Sequence, residues 1–138
     1  MARLDLPMKS KEQQLRRMVF NVVARNQDDH PKNIAFLMDR TGDWSLSPAF
    51  DVMYSFNASG QWTSRHQMSV NGKRDGFELD DIVVCARLAP LKRGRAEAIL
   101  EQVRDAVRRW PTFAARAGVP DDRVEAIART HRPPLFPC

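Results

Sequence analysis

An aspartate, Asp28, is followed five positions later by an asparagine, Asn33, in the run Arg25-Asn26-Gln27-Asp28-Asp29-His30-Pro31-Lys32-Asn33, and another aspartate, Asp51, lies downstream. A D-x-x-x-x-N loop is the spacing used in phosphoryl transfer, where the carboxylate takes a proton from an attacking hydroxyl and the amide oxygen holds Mg²⁺. A loop of four intervening residues can turn both side chains toward one point. Asp28 rather than Asp29 is assigned as the base, because only Asp28 has the required offset to Asn33. Lys32 either steadies a phosphate or offsets the charge on Asp28. His30 is a candidate proton carrier, although a His held between Asp and Pro in a tight loop more readily bonds backbone to fix the turn. Zinc chemistry fits poorly: His30, His66, His131, Cys85 and Cys138 show no zinc-ligand spacing.

Two elements must position these groups. Leu15, Met18, Val19, Val22 and Val23 recur at helical spacing, so an amphipathic helix is predicted to end near Arg25 and to fix the Asp28 loop that leaves it. Ser10 and Gln13 match a capping box at its start, and Arg16, Arg17 and Arg25 fall outside the stripe as surface charges. After the loop, Ile34 to Met38 is apolar, Asp39-Arg40-Thr41-Gly42-Asp43 is turn chemistry, and Trp44 to Ser47 resumes before Pro48, which predicts a hairpin with a five-residue loop. A register pairing Asp39 with Asp43 or Trp44 sets Asn33 across from Ala49 or Phe50, with facing Cα atoms about 4.5–5.5 Å apart. Asp51 then comes beside Asn33, where carboxylate and amide oxygens can share one hard cation.

Three runs in order, Asn26 to Asn33, Leu46-Ser47-Pro48-Ala49-Phe50-Asp51-Val52 and His66-Gln67-Met68-Ser69-Val70-Asn71-Gly72-Lys73-Arg74, together resemble the C-terminal kinase domain of HipA-like toxins. The resemblance covers nearly the whole chain from about Leu15. It implies a serine/threonine protein kinase of type II toxin–antitoxin systems, with ATP as phosphoryl donor and Mg²⁺ as cofactor. By that likeness Asp28 is the catalytic Asp and Asn33 a Mg²⁺ ligand; beside these, Lys32 is a second candidate for the chemical step, His30, Lys32, Asn33 and Asp51 are the candidates around the nucleotide, and Asn33 and Asp51 the candidate metal ligands. Asp51 would be the counterpart of the Asp in the kinase D-F-G motif. Asp51-Val52-Met53 departs from that motif at both later positions, so its Phe-and-Gly switching is not implied. The partners implied are a protein substrate such as an aminoacyl-tRNA synthetase and a HipB-like DNA-binding antitoxin.

The remaining chain reads as helical. Leu79, Ile82, Val83 and Ala86 form a short stripe closed by Pro90. A longer helix is expected from about Lys92 to Arg109, ended by Pro111, then a turn or two over Thr112 to Ala117 stopped by Gly118, and a final helix opened by Pro120 with Val124, Ile127 and Ala128 as core. Val52 to Trp62 has no clear period. Gln67 to Val70 with Asn71-Gly72 suggests a short strand and turn carrying Lys73 and Arg74, either as contacts to substrate or phosphate or, more simply, on an exposed tip. The fold class expected is mainly α with a small β-hairpin, resembling the C-terminal helical lobe of a protein-kinase-like fold. A single domain over residues 1–138 follows from the length, with 1–9 and 131–138 poorly ordered.

The formal charge of +5 rests on 17 Arg and 5 Lys against 17 acidic residues, which suits phosphate-bearing or acidic partners or else describes solvated helix faces. Direct nucleic-acid binding is not expected, since no helix-turn-helix or aromatic-studded sheet is evident. Two distant cysteines, no secretory leader pattern and no run of about 18 apolar residues point to a cytoplasmic protein without a membrane span. The glycines at 42, 60, 72, 76, 94 and 118 never form a phosphate-cradling loop. In the resembling family that equipment lies upstream, so the chain is expected to be the C-terminal lobe alone, with the N-terminal nucleotide lobe absent. Two readings follow: a kinase lobe completed by a separate N-terminal lobe, or a non-catalytic, truncated lobe acting as a protein-interaction module.

Overall fold

The computed structural model describes residues 2–132. Among them are a 3₁₀ turn at Ala2–Leu4, α1 (Met8–Val23), a 3₁₀ turn at Pro31–Asn33, strands β1 (Phe36–Met38) and β2 (Trp44–Leu46), α2 (Leu79–Leu88), α3 (Arg95–Arg108), α4 (Trp110–Arg116) and α5 (Asp121–Ala128). The protein is thus mainly helical with one small antiparallel hairpin.

The apolar stripe of α1 does what its spacing dictates. Leu15, Val19, Val22 and Val23 are buried against α3, whose Ile99, Leu100, Val103 and Val107 face them, and α2 adds Ile82 and Ala86. Each valine, leucine or isoleucine among them taken from water contributes on the order of 1.5–3 kcal/mol before conformational entropy is charged against it. Met18 is only half-buried at the edge of this core. α1 begins at Met8, two residues before the expected start, with Pro7 at its N-cap and Ser10 inside its first turn. The capping box predicted at Ser10 is therefore not made. Leu6 is buried, so the segment before α1, expected to be poorly ordered, is packed at that residue.

The C-terminal helices divide differently from the prediction. α3 stops at Arg108, and Pro111 occupies the second position of α4 instead of ending α3. That position lacks an intrahelical acceptor for an N–H, so proline is tolerated there. α5 packs on α4, yet Val124 and Ile127 remain half-exposed and Ala128 is exposed, so this stripe is a flank and not core. His131 and Arg132, expected to be poorly ordered, are packed: the Arg132 N–H donates to the Val23 carbonyl at 2.8 Å, and its guanidinium meets Asp75 and lies over the Phe77 ring. Residues 133–138, the rest of that proline-rich stretch, lie outside the described residues.

The hairpin has the predicted register. Phe36 pairs with Leu46, Leu37 with Ser45 and Met38 with Trp44, and the Asp39 N–H donates to the Asp43 carbonyl at 3.0 Å across the five-residue loop. Asp39 Oδ1 accepts from Thr41 and Asp43 inside that loop, which closes the turn. Phe36 and Leu46 sit half-buried on the body, whereas Met38 and Trp44, on the same face of the ribbon, project beyond it into solvent.

Candidate functional site

The loop of interest starts with a reversal of the backbone. Past the C-cap Ala24, Arg25 takes φ = 60°, the left-handed conformation that usually falls to glycine at a helix end. It is held there from three sides: Arg25 Nε donates to the Thr130 carbonyl at 2.8 Å, its guanidinium lies 4.2 Å from the centre of the Phe56 ring, and its own carbonyl accepts the Ser55 N–H. Gln27 N–H returns a bond to the Ser55 carbonyl at 3.1 Å, so Asn26 and Ser55 form a one-residue parallel bridge. The segment after Asp51 is thereby laid beside the segment before Asp28. Arg17 also leaves the solvent, donating to the Ser47 carbonyl at 2.6 Å. Two arginines read as surface charges are therefore ties between segments.

Within the loop, the Asp28 carbonyl accepts from the His30 N–H at 3.0 Å and from Asn33 Nδ2 at 3.0 Å. The amide nitrogen of Asn33 is committed, and its oxygen is left as the acceptor. His30 Nε2 lies 3.2 Å from Asp28 Oδ1 with both side chains partly exposed. The His30 ring thus meets the candidate base and not the backbone; the turn is held by main-chain bonds, including Asn33 N–H to the His30 carbonyl. Lys32 is exposed, and among the described residues its ammonium makes no hydrogen bond or ion pair.

Asn33 and Asp51 border one cleft of about 480 Å³, which also takes in His30, Asp29, Ile34, Phe50, Val52 and Met68. The ladder itself does not carry Asp51 to Asn33. It stops at the Ser47 N–H to Ala35 carbonyl bond, Asn33 closes a 3₁₀ turn, and Asp51 turns the chain with φ = 53°. The Asp51 carboxylate is exposed and has no partner among the described residues. The donor set of one amide oxygen and one carboxylate suits a hard divalent ion such as Mg²⁺ better than a soft one. Asp28 does not border the cleft; it is joined to it through Asn33 and His30.

The model of the HipA-like C-terminal domain matches residues 1–130. The chain belongs to this family. No curated protein and no solved structure matches it. Among the described residues of this HipA-like domain, no helix is long and apolar enough to cross a membrane, and no group of three or more His, Cys, Asp or Glu side chains could hold a metal ion.

Two polar clusters in the domain escaped sequence reasoning. Asp29, passed over in favour of its neighbour, is buried: its Oδ1 accepts the N–H groups of Gln67 at 2.8 Å and Met68 at 3.2 Å, and its Oδ2 lies 2.9 Å from His66 Nδ1. His66 is wholly buried and packs edge-on against Phe77. The other cluster surrounds Asp81 at the start of α2, whose carboxylate accepts from Asn71 Nδ2, Lys73 Nζ and the Glu78 N–H. Lys73 and Arg74, expected on an exposed tip, both have partners: Lys73 keeps 40% of its side chain in solvent while bonding Asp81 and the exposed Glu78, and Arg74 bonds the His66 carbonyl. The one available signal was the length of polar sequence without a helical or strand period, which asks for side chains to satisfy the backbone.

Proposed function

We propose that this HipA-like domain is the catalytic-loop lobe of a Mg²⁺-dependent serine/threonine protein kinase, acting as the toxin-type component of a toxin–antitoxin pair. The observation that carries the reading is the tie from Asn33 Nδ2 to the Asp28 carbonyl, in a loop whose Asn33 shares a cleft with the uncommitted Asp51. Asn33 Oδ1 and an Asp51 carboxylate oxygen would hold Mg²⁺, which when bound offsets phosphate charge. Asp28 accepts the proton of a substrate hydroxyl as that oxygen bonds to the γ-phosphorus of ATP and the bond to the ADP oxygen breaks. His30, 3.2 Å from one carboxylate oxygen, orients Asp28 and leaves the other oxygen to take the proton. Lys32, exposed and uncommitted, steadies a phosphate.

A working site also needs a glycine-rich phosphate loop and a strand-borne lysine, supplied by an N-terminal lobe in the same or another chain. The test is phosphotransfer from labelled ATP to a Ser/Thr protein substrate, an aminoacyl-tRNA synthetase first, with that lobe supplied. Asp28→Asn is expected to abolish transfer and leave Mg²⁺-ATP affinity within about threefold, since a proton acceptor serves the chemical step. Asp51→Asn is expected to weaken both, with partial recovery at raised Mg²⁺. Equal loss of ATP binding in the two variants would refute the division of roles.

A second reading, a non-catalytic interaction module, draws on the exposed apolar side chains of Leu37, Met38, Trp44, Phe50, Val52 and Met53 along and after the hairpin. Such a surface suits cover by another polypeptide, whether the N-terminal lobe or a HipB-like antitoxin. Retention of partner binding in an Asp28→Asn, Asp51→Asn double variant with no transfer in the wild type would favour it.

A further inference from the structure

We propose that Asp29 is a positioning residue for Asp28: by gripping residues 66–68, its buried carboxylate fixes the 28–33 loop against the wall of the cleft formed by Met68, Ser69 and Val70. The inference rests on Asp28 being the base. Asp29 and Asp28 are consecutive, so whatever clamps the first sets the backbone from which the second projects. The clamp has three points: the N–H groups of Gln67 and Met68 on Oδ1, and His66 Nδ1 on Oδ2 at 2.9 Å. An ionised carboxylate only accepts, so His66 donates through Nδ1–H. Its Nε2 is buried without a hydrogen-bond partner among the described residues, so the contact from Nδ1 to Asp29 is the hydrogen bond that holds the ring. Further along, the His66 N–H and carbonyl are both held by Arg74, so the segment that Asp29 grips is itself anchored. The loop and the cleft wall therefore move as one piece, and Asp29 joins them.

Nuclear magnetic resonance on the ¹⁵N-labelled 138-residue chain, without nucleotide, tests this. In the wild type, His66 should show a protonated Nδ1 and a bare Nε2, and the Gln67 and Met68 amides should exchange slowly. Asp29→Asn should change the His66 signals, speed exchange of the Gln67 and Met68 amides about tenfold or more, and move the ring signals of His30, which reports on Asp28. The Ile99 amide, in the α3 core, should keep its protection within about twofold. His66→Gln leaves both amide bonds to Oδ1 in place and should give a smaller change of the same kind. Unchanged His30 signals in folded Asp29→Asn, or equal loss of protection at Ile99 and Met68 in both variants, would overturn the proposal; the latter would mean a structural role only. No phosphotransfer enters the measurement, so its failure leaves the kinase reading standing, and a failed transfer assay leaves this result intact.

Discussion

Asp81 lies buried at the start of α2, and burial alone would push its carboxyl pKa up. Hydrogen bonds from Asn71, the Glu78 N–H and Lys73 outweigh that and hold it below its ordinary value. Because the folded pKa is depressed, the stabilisation is present above the unfolded carboxylate value of about 3.9 and is lost as pH falls through the folded value. Urea denaturation should therefore show wild type more stable than Asp81→Asn at pH 6, with the gap closing as pH drops below about 4. Convergence at pH 6 would contradict the paired, ionised state. Of the candidate site, only the closeness of Asp28 and Asn33 in one turn was legible, because five residues of one loop cannot stray far; the bond that joins them runs to the Asp28 main chain. The partners of Arg17, Arg25, Lys73 and Arg74 were not legible. Their acceptors are carbonyls and carboxylates up to 105 residues away, and a sequence displays charge without displaying which backbone oxygen comes near it.

Helices announced themselves through burial periodicity, so α1, α2 and α3 were readable while their ends were not. Ser10 has the chemistry of a cap, but Pro7 with its fixed φ had already turned the chain into α1. The hairpin register was legible because the turn residues set it. Where α1 hands over to the loop, the left-handed Arg25 gives a test of backbone against side chain. Removing the side chain costs the bond to Thr130 and the contact with Phe56 in either variant, but only glycine accepts φ = 60° without strain. Arg25→Ala should therefore be less stable than Arg25→Gly by about 1 kcal/mol in urea denaturation. In the core, Ile99→Ala should cost about 2–5 kcal/mol by the same measurement, since its wholly buried side chain leaves a cavity between helices.

Across the whole molecule, residues 130–132 act as a strap. Thr130 receives Arg25 on its carbonyl and meets the Tyr54 hydroxyl, His131 packs edge-on to Tyr54 and Trp110, and Arg132 reaches Val23 and Asp75. Burial, then the charge of Arg25, pushes the His131 imidazole below its ordinary pKa. Its contribution to stability is then complete above about pH 6.5 and declines as pH falls from there toward the folded value. Thermal melts between pH 5 and 8 should flatten in His131→Phe; an unchanged slope would mean the ring bears no such load. Under the proposed kinase reading, in which another lobe supplies the phosphate loop, these 138 residues alone should bind Mg²⁺-ATP only weakly by calorimetry, and sub-micromolar affinity would overturn that part of the proposal.

The strap also has a consequence in time. A ribosome delivers Arg25, and the Asp28 loop just after it, long before Thr130, which lies 105 residues beyond Arg25 and holds it through its carbonyl. The nascent chain can bury the stripe of α1 once α3 has emerged, yet it carries an unbraced loop until the strap leaves the exit tunnel. That delay keeps Arg25 and the loop behind it from their braced arrangement until Thr130 has emerged.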